Sequence, residues 1–98
     1  MKIIAVNISK TSKNKSLLQA TERAWKLNRN KAQKYTFVIG VENNFAKSFF
    51  KINNVSIDEK HINRIMFDLT KCSESDEATI KKYIEKISLK RFTTKYLN

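Results

Sequence analysis

Proline is absent from this 98-residue chain, and glycine, cysteine, histidine and tryptophan occur once each. Tight turns must therefore come from asparagine, aspartate and serine, which tolerate turn geometry. The lone cysteine, Cys72, excludes an intrachain disulfide, which fits a reducing cytoplasm. Cys72 and the single histidine, His61, cannot supply the usual ligand set of a zinc site. We therefore expect no metal and no cofactor.

Long apolar runs and catalytic motifs are also missing. No run approaches the roughly 20 apolar residues that cross a bilayer, and the N-terminus becomes polar too soon for a signal peptide. The sequence has no P-loop, no dinucleotide-binding glycine pattern and no hydrolase nucleophile elbow. These absences predict a cytoplasmic protein that is not an enzyme and does not contact a membrane.

Acidic residues are scarce, since nine Asp and Glu face twenty Lys and Arg for a net charge of +11. Residues 1–34 hold nine basic residues against Glu22 alone, which leaves +8 in the first third of the chain. Such a concentration suits a phosphate backbone or an acidic protein. A composition rich in Lys and Asn also arises from AT-rich coding, so charge alone leaves both readings open.

The hydrophobic pattern predicts one α+β domain over residues 1–98, in the order β-α-β-β-β-α-β. Gly40, inside an apolar run, indicates a bulge or a close backbone approach. Five short strands and two helices favour a curved mixed five-stranded sheet or a partly closed β-barrel. The predicted strands cover residues 2–8, 36–41, 46–52, 64–69 and 88–97, and the predicted turns include residues 42–44 and 53–54.

The two predicted helices begin at serine caps. Ser16 and Gln19 form a capping-box pattern, and the second helix begins at Ser73 or Ser75. A short extra turn could begin at Asn30. The apolar stripe of the first helix comprises Leu17, Leu18, Thr21, Ala24 and Trp25, and that of the second comprises Ile80, Tyr83, Ile84 and Ile87.

Several short segments of the chain resemble small bacterial and phage domains of the PUA-like group, which includes the ASCH, EVE and YTH modules. They are Trp25-Lys26-Leu27, Lys31-Ala32, residues 35–41 (YTFVIGV), Phe50-Lys51-Ile52, Lys82-Tyr83-Ile84 and residues 95–98 (KYLN). The chain departs from the pattern at Glu22-Arg23, where an Arg-Gly pair is expected. The resemblance implies a compact barrel that binds RNA or holds a base in an aromatic-lined pocket.

Charge and resemblance together predict a small basic nucleic-acid-binding module, for RNA rather than DNA. Trp25 is either core or the wall of a base pocket, and Phe49 is an exposed aromatic unless helices cover both faces of the sheet. The predicted basic contacts are Lys10, Lys13, Lys15, Arg23, Lys26, Arg29, Lys31, Lys34, Lys47, Lys51 and Arg91, with Lys95 extending them. The alternative is a phage or mobile-element interaction module that binds an acidic host protein.

Overall fold

The strands of this computed structural model, which describes residues 1–9, 16–22, 25–60, 63–90 and 92–97, form one mixed sheet. The elements in chain order are β1 (Ile3–Asn7), α1 (Leu17–Glu22), α2 (Arg29–Ala32), β2 (Phe37–Glu42), β3 (Phe45–Ile57), β4 (Ile65–Lys71), α3 (Glu74–Ile84) and β5 (Thr94–Leu97). The strand order is β4-β3-β2-β1-β5, with β1 and β2 parallel and the other pairs antiparallel.

The sheet is open, because β4 and β5 lie at its two edges. The predicted α+β class and five-stranded mixed sheet are thus confirmed, whereas the alternative of a partly closed barrel is not. The described residues contain three helices where two were expected. The additional helix, α2, begins at the cap Asn28, whose side chain accepts a hydrogen bond from Lys31 N at 3.0 Å.

Both faces of the sheet are covered. Ile4, Val6 and Ile8 point to the first face, where they pack with residues of α1 and α2. Ile3 and Ala5 point to the second face, which α3 covers. In the sequence, Ile4, Val6 and Ile8 alternate with Ile3 and Ala5, and this alternation predicts the two apolar faces that β1 presents to the two cores.

The serine caps occur where they were predicted. In α1, Ser16 N donates to Gln19 Oε1 at 3.3 Å and Gln19 N donates to Ser16 Oγ at 3.2 Å, which is a capping box. In α3, Ser73 Oγ accepts from Asp76 N at 3.1 Å.

The apolar stripe predicted for the first helix is partly wrong. Leu17 and Leu18 are each 41% exposed, while Ala20 and Thr21 are buried. Trp25 lies beyond α1 and forms an isolated antiparallel bridge with Ile65. The short helix therefore presents its small residues to the sheet.

The turn predicted at residues 53–54 is wrong, because β3 runs through it. The register with β4 shifts between Ile52 and Asn54, so the extra residue, Asn53, is accommodated as a bulge. The turn before β3 is confirmed by the positive φ angles of Asn43 (52°) and Asn44 (70°). The last strand is shorter than predicted, since Ile87 and Leu89 pack against the second-face core before β5 begins.

Gly40 occupies a position that has no room for a side chain. A Cβ there would overlap Ser48 Oγ and lie 2.9 Å from Thr21 Oγ1. The β2–β3 register also shifts between Gly40 and Val41, which confirms the predicted bulge, whereas the atoms that approach Gly40 closely belong to side chains and not to another backbone.

A buried polar chain begins at the same glycine. Gly40 N donates to Ser48 Oγ at 3.1 Å, and Ser48 Oγ lies 3.3 Å from Thr21 Oγ1. Thr21 Oγ1 donates to Leu17 O at 2.7 Å, so Ser48 is the donor to Thr21. These bonds fix α1 against the β2–β3 hairpin without leaving a buried donor unpaired.

Among the described residues, no helix has the length and apolar character needed to span a membrane.

Candidate nucleic-acid interface

A cleft of about 510 Å³ opens where β1 and β2 begin, and we call it the basic cleft. Its lining residues are Lys2, Asn28, Asn30, Lys31, Lys34 and Tyr35. Three of these six residues are lysines and none is acidic. The cleft therefore concentrates positive charge at one end of the sheet.

Parallel pairing of β1 and β2 brings the two sides of the basic cleft together. Ile3 pairs with Phe37, so the residues that precede the two strands become neighbours. Lys2 O accepts hydrogen bonds from Thr36 N at 3.1 Å and Phe37 N at 3.2 Å. Lys2 and Tyr35, which are 33 positions apart in the sequence, consequently line one cleft.

The short helix α2 and the two residues that follow it supply the remaining lysines. Ala32 is fully buried in the first-face core, and Arg29 Nε donates to Val55 O in β3 at 3.2 Å. These two contacts orient α2 so that Lys31 and Lys34 lie at the cleft. Arg29 thus has a structural role in addition to its charge, because it joins α2 to β3.

Two tyrosines pack together beside the cleft. The ring centroids of Tyr35 and Tyr96 are 4.8 Å apart with an interplanar angle of 45°. Lys2 Nζ lies 5.5 Å from the Tyr35 centroid, and Lys31 Nζ lies 4.2 Å from the Tyr96 centroid. Each cation–π contact is worth about 0.5–1 kcal/mol at an exposed site. The tyrosines therefore hold two ammonium groups of the cleft in place.

The Tyr96 hydroxyl is buried and has no hydrogen-bond partner within the described part of the chain. Burial, followed by the neighbouring Tyr35, raises the pKa of Tyr96 above its ordinary value. The phenol consequently stays neutral at physiological pH. It does not offset the positive charge of Lys31, which lies over its ring.

Of the predicted basic contacts, Lys31 and Lys34 line the cleft and Arg29 adjoins them in α2. Lys26, Lys47, Lys51 and Lys95 are exposed elsewhere. Lys10, Lys13, Lys15, Arg23 and Arg91 lie outside the described residues.

The PUA-like resemblance also implies that Lys10, Lys13 and Lys15 share one rim with Arg29, Lys31 and Lys34, and the first three of these lysines lie outside the described residues. Ser9, the last described residue before them, accepts from Asn43 N at 3.3 Å and so lies beside the β2–β3 turn. Lys2 lies at the opposite end of β1. Five residues of strand span about 17 Å, so Ser9 and the basic cleft are well separated.

Trp25 lies in the first-face core and does not line the basic cleft. Its side chain is 6% exposed, and its Nε1 donates to Thr21 O at 2.6 Å. Its backbone exchanges hydrogen bonds with Ile65, at 3.2 Å and 2.9 Å. Of the two roles predicted for Trp25, its position is that of a core residue.

The predicted exposure of Phe49 is wrong. Phe49 is 6% exposed and belongs to the second-face core with Ile80 and Ile84 of α3. Lys81 Nζ lies 5.4 Å from its ring centroid. The alternative stated from the sequence, in which helices cover both faces, explains this burial.

Several residues at the cleft were missing from the predicted site, namely the lining residues Lys2, Asn28, Asn30 and Tyr35, and Tyr96 beside them. Lys2 precedes β1 and Tyr96 lies within β5, so the positions of both depend on which strands pair. Tyr96 is opposite Ile4 in the β1–β5 register, which places it on the first face. A prediction that β1 and β2 are parallel neighbours would have placed Lys2 beside Tyr35.

Cys72 is a poor nucleophile. Burial, followed by the nearby carboxylates of Asp76 and Glu77, raises the pKa of its thiol to about 11. A thiol with this pKa is almost fully protonated near neutral pH. Within the described residues, no group of three or more His, Cys, Asp and Glu side chains could hold a metal ion.

No protein-family model matches this chain, and searches of curated proteins and of solved structures return no significant match. The PUA-like resemblance therefore remains a prediction. The geometry of the basic cleft is therefore the feature that indicates a function.

Proposed function

We propose that the protein is a small nucleic-acid-binding module that uses the basic cleft to contact the phosphates of a single strand, RNA in preference to DNA. The observation that carries this proposal is the convergence of Lys2, Lys31 and Lys34 on one cleft with no acidic lining residue. Lysines that neutralise phosphates release counterions, and this release supplies much of the binding free energy.

The other lining residues suit contacts to sugar and phosphate. Asn28 Oδ1 caps α2, which leaves its amide nitrogen available as a donor. Asn30 is exposed at the same cleft. Amide groups can contact both phosphate oxygens and the 2′-hydroxyl that distinguishes RNA from DNA.

Base recognition has a smaller part in this proposal than phosphate contact. Tyr35 is 7% exposed, and Lys31 lies over the Tyr96 ring. A base could stack on Tyr96 only after Lys31 moves aside. The cleft should therefore bind strands of different sequence with similar affinity.

Fluorescence anisotropy with a labelled 12-nucleotide RNA and the DNA of the same sequence tests this proposal. Binding should be measurable at 50 mM salt, weaken steeply by 200 mM, and be tighter for RNA. Absence of binding to either strand at 50 mM salt would refute the proposal. Equal affinity for the two strands would remove the RNA preference but retain nucleic-acid binding.

The alternative partner, an acidic protein, would also bind through charge and show salt sensitivity. Capture from a cell lysate before and after nuclease treatment separates the two partner classes. The proposal predicts that material captured through the basic cleft is lost on nuclease treatment, as judged by its absence from the capture with K2A/K31A/K34A. A protein that remains bound in nuclease-treated lysate and competes with RNA for the cleft would favour the alternative.

A further inference from the structure

The long strand β3 has a stretch that is paired on one side only. Within the described residues, β2 pairs with β3 over residues 45–51, whereas β4 pairs with it over residues 50–57. Residues 45–49 of β3 therefore lack a neighbouring strand on the β4 side. An unpaired strand edge is a template for another strand.

A cavity of about 310 Å³ lies beside this unpaired edge. Leu17 of α1 and Glu77 of α3 line it from the two faces of the sheet, and Lys71 marks the end of β4. Lys47 and Phe49 of β3 line its inner side. The cavity thus occupies the place where β4 would have continued, between the two helical layers, and we call it the edge notch.

On the β4 side of β3, one backbone group at the edge notch is already paired. Phe49 O accepts from Cys72 N at 3.0 Å, immediately after β4 ends. Two residues earlier, Lys47 is the extra residue of the bulge, since Gly40 pairs with Ser48 and Val41 with Ala46. A strand placed in the notch would continue the pairing that Cys72 begins.

The charges at the edge notch favour an acidic strand. Lys47 and Lys71 line it, and the opposing carboxylate, Glu77, is 3.4 Å from Lys81 Nζ. A second copy of this chain carries +11 and would be repelled. Phe45, which is 67% exposed at the start of β3, offers an apolar contact to an incoming side chain.

We propose that the edge notch binds an extended acidic segment of a partner protein, which adds as a strand beside residues 45–49 of β3. Main-chain hydrogen bonds would supply affinity and the two lysines would select acidic side chains. The proposal does not depend on the basic cleft, which lies where β1 and β2 begin.

A fluorescein-labelled (Val-Glu)₄ peptide is the probe for this site, with (Val-Lys)₄ as its charge-reversed control. The acidic peptide should bind at 50 mM salt, the basic one should not, and the amide NMR signals of residues 45–49 should shift. A third peptide with alternate backbone nitrogens methylated should bind at least tenfold more weakly, because methylation removes main-chain donors.

Variants of the protein separate strand addition from general charge attraction. K47E/K71E should weaken acidic-peptide binding at least tenfold, whereas K82E/K86E, which makes the same charge change on and just after α3, should weaken it far less. Circular dichroism checks that both variants fold. No binding of the acidic peptide, equal binding of the methylated peptide, or displacement of the peptide by single-stranded RNA would overturn the proposal.

Discussion

Trp25 and the Tyr35–Tyr96 pair are both aromatic and both have basic sequence neighbours, yet the fold uses them differently. The Trp25 indole donates its hydrogen bond to Thr21 O and lies within the first-face core. Tyr96 has a hydroxyl without a partner in the described part of the chain and a lysine over its ring. Basic neighbours in the sequence therefore do not decide where an aromatic side chain lies, whereas the pairing of strands does.

The comparison implies that stability and binding can be changed separately. Variants at Trp25 or in the Gly40–Ser48 contact should lower the free energy of unfolding and leave the lysines of the basic cleft unchanged. Variants of the cleft lysines should change binding, with a small effect on stability.

The largest expected effect on stability is that of Trp25→Ala. Removing a buried Trp side chain costs about 3–5 kcal/mol in free energy of unfolding, because a cavity remains and the surrounding apolar contacts are lost. Urea denaturation measures the loss, with Trp25→Phe as the milder control. A Trp25→Ala protein that stays fully stable but loses RNA binding would place Trp25 in the site after all.

A second effect concerns the close approach at Gly40. Gly40→Ala should cost about 1–3 kcal/mol, because its Cβ would overlap Ser48 Oγ. Ser48→Ala alone should also destabilise by about 1–3 kcal/mol, since it leaves the buried Gly40 N–H without a partner. In the Gly40→Ala/Ser48→Ala double variant the overlap with Ser48 Oγ is relieved. The decrease in its free energy of unfolding should therefore be smaller than the sum of the decreases in the two single variants. Additive losses would contradict this account of the contact.

Sequence patterns predicted those features that depend on local chemistry. The caps at Ser16 and Ser73, the turn at residues 42–44 and the two faces of β1 all follow from hydrogen-bonding capacity or apolar alternation. The exception within a strand was Asn53, where a polar residue that suits a turn instead donates to Thr70 Oγ1 at 2.6 Å across the β3–β4 pair.

The candidate site was harder to predict, because strand pairing and helix placement decide it. Lys2 and Tyr96 approach Lys31 of α2 only through the β2-β1-β5 order of strands. Phe49 is flanked by two lysines in sequence, and its burial follows from the position of α3, which alternation alone does not specify. Local patterns thus predicted a basic surface, but they identified only some of the residues that form the basic cleft.

A smaller predicted effect concerns the thiol of Cys72, which packs against the second-face core. The pKa of Cys72 is about 11 in the folded protein against 9.0 for an unperturbed thiol. Between these two pH values the unfolded chain loses its thiol proton while the folded protein keeps it. Stability from this group is therefore complete below pH 9 and is lost as pH rises towards 11.

Iodoacetamide labelling measures this shift directly. At pH 9–10 the folded protein should react more slowly than the urea-unfolded chain. Asp76→Asn should speed the reaction only slightly, because burial is the largest cause of the raised pKa. Equal rates in the folded and unfolded states would contradict the shift.

The most direct test of the central claim compares two triple variants that remove the same charge. K2A/K31A/K34A removes the lysines of the basic cleft, and K82A/K86A/K90A removes three exposed lysines on and just after α3. The cleft variant should weaken single-stranded RNA binding roughly a hundredfold at 0.1 M salt and lower the slope of log K against log salt by about two, from about 0.7 per contact. The α3 variant should leave the slope nearly unchanged, and equal losses in the two variants would contradict a localised site.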